Sequence, residues 1–237
     1  MTITSTHNQK LKQIRKLGQR RRWREQSGRF VAEGEDLLAA ADAAGWEPLE
    51  RYCAAGSGLG GVEVEATLLA AASGLGSGTR ALAVYQERWA PVPTGPLCVY
   101  LHGVGDPGNV GAILRSAQAF GAASVAVGPE TADPFGPKAV RASMGAVFAV
   151  ALARVESPAS LPGRTIALAT DHGLPLSELA LDGVTLMVGA EREGLPDTLL
   201  AAADQVARIP IRTHSLNAAM AATVALYEAT RMAPAHD

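Results

Sequence analysis

Cysteine is scarce in this chain, with Cys53 and Cys98 the only two among 237 residues. Two thiols close at most one bridge and no Cys-x-x-Cys occurs, which excludes a disulfide-built scaffold. The five histidines, His7, His102, His172, His214 and His236, include no pair at i and i+4 and none beside a cysteine, so no metal is expected. No run approaches the ~18 apolar residues of a membrane-crossing helix. The opening residues, MTITSTHNQKLKQ, lack an apolar stretch after their charges. No secretory signal is therefore expected, and a soluble, cytoplasmic protein is.

What is present is ordinary for a folded protein. Hydrophobic residues make up 48% and charged residues 19%, which excludes a mostly disordered chain. The length suits one large domain or two small ones, with a core that needs neither disulfides nor a structural metal. The net charge of −2 conceals a partition. Between residues 10 and 29 lie nine cations (Lys10, Lys12, Arg15, Lys16, Arg20, Arg21, Arg22, Arg24 and Arg29) and one acid, Glu25. The rest of the chain holds twelve basic and twenty-two acidic residues. A basic arm with Trp23 and Phe30 interspersed suits phosphate contacts and base stacking. A solvated basic helix is the alternative.

The segment 89–96, WAPVPTGP, reads as a linker, because proline removes backbone donors and disfavours helix before it. It predicts a first domain over 1–88 and a second over 97–237. In the first, Leu11, Ile14 and Leu17 are spaced for one helical face. A second helix is expected at 33–44, and apolar runs at 49–54 and 81–85 flank a helix-like 66–72. This describes a small α/β domain. The second part alternates strand-like runs (97–102, 124–127, 147–152, 165–169, 185–189, 205–209) with helix-like ones (109–120, 137–146, 196–203, 216–231). Uninterrupted apolar strands suggest burial on both faces, hence an α/β fold with a mostly parallel sheet covered by helices.

Three motifs carry chemistry. Gly103, Gly105 and Gly108 spell G-x-G-x-x-G between a strand and a helix, and Glu130 follows a second strand, which meets the dinucleotide-binding fingerprint and points to an NAD-dependent oxidoreductase. The same turn holds Asp106, Asn109, Arg115 and Ser116, which phosphate cradling does not require; Asp106 or Asn109 also suits a helix cap. The second motif, VGAEREGLPDTLL at 188–200, puts Glu191 and Gly194 in a turn after a strand. The third, ARIPIRTHSLNAAM at 207–220, opens a long apolar helix at Ser215-Leu216-Asn217, with Ser215 a candidate N-cap.

Taken in order, D-P-G-N-x-G-x-x-x-R, G-x-E-x-x-G-L and I-P-I…S-L-N-x-x-x-A resemble the SpoU/TrmH family of RNA ribose 2′-O-methyltransferases over about 97–232. The stretch NQKLKQIRKLGQRRRWREQSGRFVAEGEDLL is similar to the opening of the ribosomal-protein-like RNA substrate-binding domain that many members carry. The resemblance implies an α/β sheet with a C-terminal trefoil knot, a homodimer, and S-adenosyl-L-methionine as cofactor. It implies a cofactor site of Gly189, Glu191, Gly194, Leu195, Ile209 and Leu216, and a catalytic polar set of Asn109, Arg115, Glu191, Ser215 and Asn217. Arg115 is then expected to hold the target phosphate and polarise the ribose hydroxyl, since a guanidinium is very hard to deprotonate. Asn109 and Asn217 are expected to orient Arg115 or the ribose. The implied substrate is RNA, with rRNA favoured over tRNA. The chain departs from the pattern at 211–214, where Ile211, Arg212, Thr213 and His214 form a shorter loop than the family's and reshape the expected pocket wall.

Overall fold

A computed structural model of the chain describes residues 2–74, 78–212 and 214–231. It forms two compact units, Met1–Arg88 with Asp133–Ala149, and Trp89–Ala132 with Val150–Asp237. The division therefore crosses the chain more than once, and seventeen residues from beyond the proline-rich stretch complete the first unit.

In the first unit the basic run forms two helices. α1 (Gln9–Gln19) begins at Asn8, whose side chain accepts the Lys10 N–H at 2.9 Å. Its three-residue spacing buries Leu11, Ile14 and Leu17 along one stripe, worth about 2 kcal/mol for each side chain removed from water. Arg20 is extended and ends the first helix; α2 (Arg21–Ser27) follows and stops at Gly28, whose φ of 62° is left-handed. Glycine takes that conformation without the steric cost of a Cβ. The chain then enters β1 (Arg29–Glu33), α3 (Glu35–Ala43), β2 (Glu50–Ala54), β3 (Val62–Val64), α4 (Ala66–Ala72) and β4 (Ala81–Gln86). The sheet runs β1-β4-β2-β3, antiparallel except for β2 with β3.

Two residues expected to contact RNA, Phe30 and Arg24, are interior, and the expectation for both is corrected. Phe30 is fully buried, with ring centroids of Phe135, Tyr85 and Phe148 at 4.7, 5.8 and 5.9 Å. It is core and cannot stack on a base. The Arg24 side chain is 7% exposed; its Nε donates to Asp133 Oδ2 at 2.7 Å and its Nη1 to the Leu17 carbonyl at 2.7 Å. A buried guanidinium needs such partners to offset its desolvation, so Arg24 is withdrawn from the phosphate-binding set. Glu33 is similarly buried and accepts from Ser73 Oγ at 2.8 Å and Gly74 N–H at 2.9 Å.

The second unit begins along the proline-rich stretch, which is not a free tether. Ala90 N–H donates to the Leu152 carbonyl at 2.7 Å, and Thr94 N–H to Ser124 Oγ at 2.9 Å. β5 (Leu97–Leu101), α5 (Pro107–Ala119) and β6 (Ser124–Val127) follow. α6 (Pro137–Ala142) and α7 (Ala146–Ala149) lie in the segment that completes the first unit. The apolar run at 147–152, expected as one strand, is instead the single turn of α7 and then β7 (Ala151–Arg154). A buried apolar run reads alike in either state; here Gly145, at φ 95°, starts the turn, with Phe148 N–H bonded to its carbonyl at 3.0 Å.

The remaining elements are β8 (Arg164–Ala169), β9 (Leu174–Pro175), β10 (Val184–Val188), α8 (Asp197–Ala202), β11 (Gln205–Arg208) and α9 (Ala218–Arg231). The sheet order is β7-β6-β5-β10-β8-β11-β9, and every pairing is parallel. The central strands β5 and β10 are buried along their whole length, as expected for a parallel sheet covered on both faces. No helix among the described residues is long and apolar enough to cross a membrane.

Candidate active site

β10 ends at Val188 and the chain turns back on itself at once. Ala190 and Gly194 exchange both backbone hydrogen bonds at 3.0 Å, and Gly194 adopts φ 70°. A Cβ on Gly189 would lie 2.2 Å from the Gly194 carbonyl carbon and 2.3 Å from Leu195 N. Only glycine lets the strand end pass that close to the returning loop. The result is a tight cradle of backbone at the carboxyl end of a buried strand.

That cradle forms one wall of a cavity of about 610 Å³. Its other walls come from the ends of β8 and β11 and from the segment leading into α9. All six residues expected to hold a cofactor line it: Gly189, Glu191, Gly194, Leu195, Ile209 and Leu216. Ser215 does too, as do Ile211 and His214 of the loop before α9; Thr213 lies outside the described residues. Ser215 does not cap α9; Asn217 does, its Oδ1 accepting the Ala219 N–H at 2.9 Å. Asp171 and His172, beyond β8, also line the cavity. They carry no motif, and the rule that ligands collect at the carboxyl ends of parallel strands is the signal that could have found them. His172 Nδ1 lies 2.9 Å from Asp171 Oδ1, and this bond holds the Asp171 carboxyl below the usual carboxylate range.

Beside the cavity the three motifs meet. Asp106 caps α5 by accepting the Asn109 N–H at 3.0 Å, and Pro107 fills its first turn. Asn109 then donates Nδ2 to Glu191 Oε1 at 2.6 Å and accepts from Asn217 Nδ2 at 3.0 Å. Arg115 stands apart from this network. It is exposed on α5 and makes no hydrogen bond or ion pair with another described residue. Of the two expected roles of Asn109 and Asn217, orienting Arg115 or the ribose, the first is corrected: their amides hold each other and Glu191. What α5 and α9 do share below Arg115 is the Ser116–Thr223 hydroxyl pair at 2.6 Å.

The glycine turn takes no part in the cavity. Gly103, Gly105 and Gly108 do not line it. Gly103 adopts φ 68°, a left-handed conformation that favours glycine, while its would-be Cβ meets Ala190 Cβ only at an ordinary contact of 3.4 Å. No group of three or more His, Cys, Asp or Glu among the described residues could hold a metal ion.

The architecture is thus that of an α/β protein whose candidate ligand site is built from three loops at the carboxyl ends of a parallel sheet. Residues 96–227 match the SpoU rRNA Methylase family, and residues 8–82 match the MRM3-like substrate binding domain. The chain belongs to the SpoU rRNA methylase family. A solved structure titled as an AdoMet-bound rRNA methyltransferase from Sinorhizobium meliloti is 30% identical, covers 99% of both chains and superposes with a TM-score of 0.89. Among curated relatives, ribosomal RNA small subunit methyltransferase G 2 of Syntrophobacter fumaroxidans is 40% identical over 159 residues, 61% of this chain. The 23S rRNA (uridine(2479)-2′-O)-methyltransferase of Streptomyces viridochromogenes is 37% identical over 140 residues, 53% of this chain. The matches span 30% and 49% of the lengths of those two relatives.

Proposed function

We propose that the protein is an S-adenosyl-L-methionine-dependent methyltransferase acting on a ribose 2′-hydroxyl in ribosomal RNA. The observation that carries this reading is the cavity at the ends of β8, β10 and β11, which gathers every residue expected to hold the cofactor. The site suits that group. The Gly189 cradle exposes backbone at close range, Leu195, Ile209 and Leu216 offer apolar contacts, and Asp171, Glu193 and Asp197 supply negative charge around a sulfonium ligand. When bound, S-adenosylmethionine supplies an electrophilic methyl group.

The chain's own residues do the rest. Arg115, exposed and without a protein partner among the described residues, is available to hold a target phosphate and draw charge from the neighbouring 2′-oxygen. Asn109, Glu191 and Asn217 fix the loop ends so that the attacking hydroxyl meets a preformed wall, which is where most of the rate of such a transfer resides. Ser215, on the cavity wall, is placed to bond the ribose or the ligand. The exposed cations of the basic run, with Arg24 excepted, grip the RNA backbone.

The trefoil knot and the homodimer belong to this reading. The strand order accords with the knot, since β10 and β11 flank β8 on opposite sides although all three follow in the same stretch of chain. Exposed Met220, Val224 and Tyr227 form one face of α9, and Phe120 packs edge-on to Tyr227 at 6.2 Å; such a face suits a second copy. The substrate-binding domain and the rRNA activities of the two curated relatives named above support rRNA over tRNA, and a cytoplasmic protein belongs to the same reading.

Calorimetry with S-adenosylhomocysteine and with NAD tests the cofactor, and methyl incorporation into rRNA and tRNA tests the substrate. Binding of the first ligand alone, with label entering rRNA ribose, is expected. Tight NAD binding, or transfer only to a base, would overturn the proposal.

A further inference from the structure

The first unit holds a second cavity that the methyl-transfer reading does not use. It is a groove of about 300 Å³ between α1, α2 and the end of the sheet where β1, β4 and β2 lie side by side. Ile14, Leu17 and Val84, all buried, form its floor. Half-buried Trp23 forms a wall, and Leu49, 47% exposed, stands at the rim. The mouth is polar: Lys10, Gln13 and Arg29 are exposed around it. Lys10 pairs with Glu50 across it at 3.2 Å, and Lys16 Nζ sits 4.5 Å from the Trp23 ring centroid. Arg29 makes no ion pair with another described residue, and neither do Lys12, Arg20 and Arg22 elsewhere in the basic run.

From this arrangement we infer that the groove receives one unstacked nucleobase of single-stranded RNA, with the flanking phosphates on the cations at its mouth. The inference rests on the RNA reading above and names which form of RNA the first unit recognises. An apolar slot with an aromatic wall favours a flat, weakly hydrated ring, and a base offers that face in any sequence. Lys10 and Arg29 at the mouth favour a ligand with negative charge beside its flat ring, which a nucleotide within a strand carries. A base inside a duplex is already stacked and paired, and its edges alone cannot fill the slot. The Lys10–Glu50 pair is exposed on both sides; such a pair is weak and yields readily to an incoming phosphate.

The experiment uses the full chain and two fluorescent probes, a single-stranded oligoadenylate and a blunt RNA duplex of equal length. Trp23→Ala is expected to weaken the single-stranded probe roughly ten- to a hundredfold while changing duplex affinity less than about threefold. Trp23→Phe is expected to restore most of the loss. Should Trp23→Ala disturb folding, Leu49→Asn removes an apolar contact at the exposed rim without adding charge and is expected to act in the same direction. Equal weakening of both probes, or no weakening in either variant, overturns the nucleobase slot and leaves the RNA reading intact. Failure of the wild-type protein to bind either probe overturns both.

Discussion

Asn217 donates its amide Nδ2 to Asn109 Oδ1 at 3.0 Å across 108 residues of sequence. Its own Oδ1 accepts the N–H groups of Ala219 and Met220 at 2.9 and 3.4 Å, so one side chain caps α9 and holds the start of α5. The chain of bonds has a fixed direction. An ionised carboxylate only accepts, so Asn109 must turn its NH2 to Glu191; its oxygen must then face Asn217, whose oxygen must face the helix. Each amide orientation is set by its neighbour, and all three motifs are tied by two hydrogen bonds.

Asn217→Asp separates the two roles. A carboxylate still caps α9, but it presents an acceptor to the acceptor Asn109 Oδ1. Helix content and melting temperature are expected to stay near wild type while methyl transfer falls by roughly tenfold or more. Asn217→Ala loses the cap as well, and denaturant unfolding should reveal a further cost of about 1 kcal/mol. Wild-type activity in the aspartate variant would remove the network from the catalytic account.

Arg115→Ala should leave the fold untouched, because the side chain is exposed and unpaired among the described residues. The rate of methyl transfer is expected to fall by roughly a hundredfold or more if Arg115 stabilises charge at the reacting oxygen. S-adenosylhomocysteine affinity, read by calorimetry, should stay within about threefold, since Arg115 does not line the cavity. Arg115→Lys tests whether planar geometry matters, and only partial rescue is expected.

The site was legible in sequence to the extent that its parts sit at strand ends. Gly189, Glu191 and Ile209 could be placed because buried strands announce themselves as apolar runs and motifs begin where those runs stop. Their mutual contacts were not legible, because Asn109 meets Glu191 and Asn217 only once the crossovers have been made. Arg24 and Phe30 were misread for a related reason. Within a run of cations every member looks solvated, and the partners that bury these two, Asp133 and Phe135, lie more than a hundred residues away. β1 was hidden by the same run, and the one-turn α7 by an apolar stretch whose period does not distinguish turn from strand.

Gly189→Ala tests the cradle directly. The added methyl would sit 2.2–2.4 Å from three atoms of Gly194 and Leu195, so the loop must move away from the strand. Affinity for S-adenosylhomocysteine is expected to drop by more than roughly tenfold. Gly194→Ala meets nothing within 4 Å and suffers only from its φ of 70°, so a smaller loss is expected. Titration calorimetry of both variants gives the order; the reverse order would place the critical contact elsewhere in the loop.

Arg24 and its neighbours should divide cleanly between stability and binding. Arg24→Ala leaves Asp133, 11% exposed, without its partner, and breaking a buried pair in this way costs about 3–5 kcal/mol in unfolding experiments. Replacing both residues with apolar ones of similar volume should recover most of that loss. Arg20→Ala and Arg22→Ala lie on the exposed side and should change stability by less than about 0.5 kcal/mol, yet each should flatten the salt dependence of RNA affinity. With roughly six of the exposed cations neutralising phosphates, log affinity should fall against log salt with a slope of about −4 to −5, and each lost cation should remove about one unit. A slope near zero in the wild-type protein would detach the basic run from RNA altogether and leave it as a solvated helix pair whose one structural cation is Arg24.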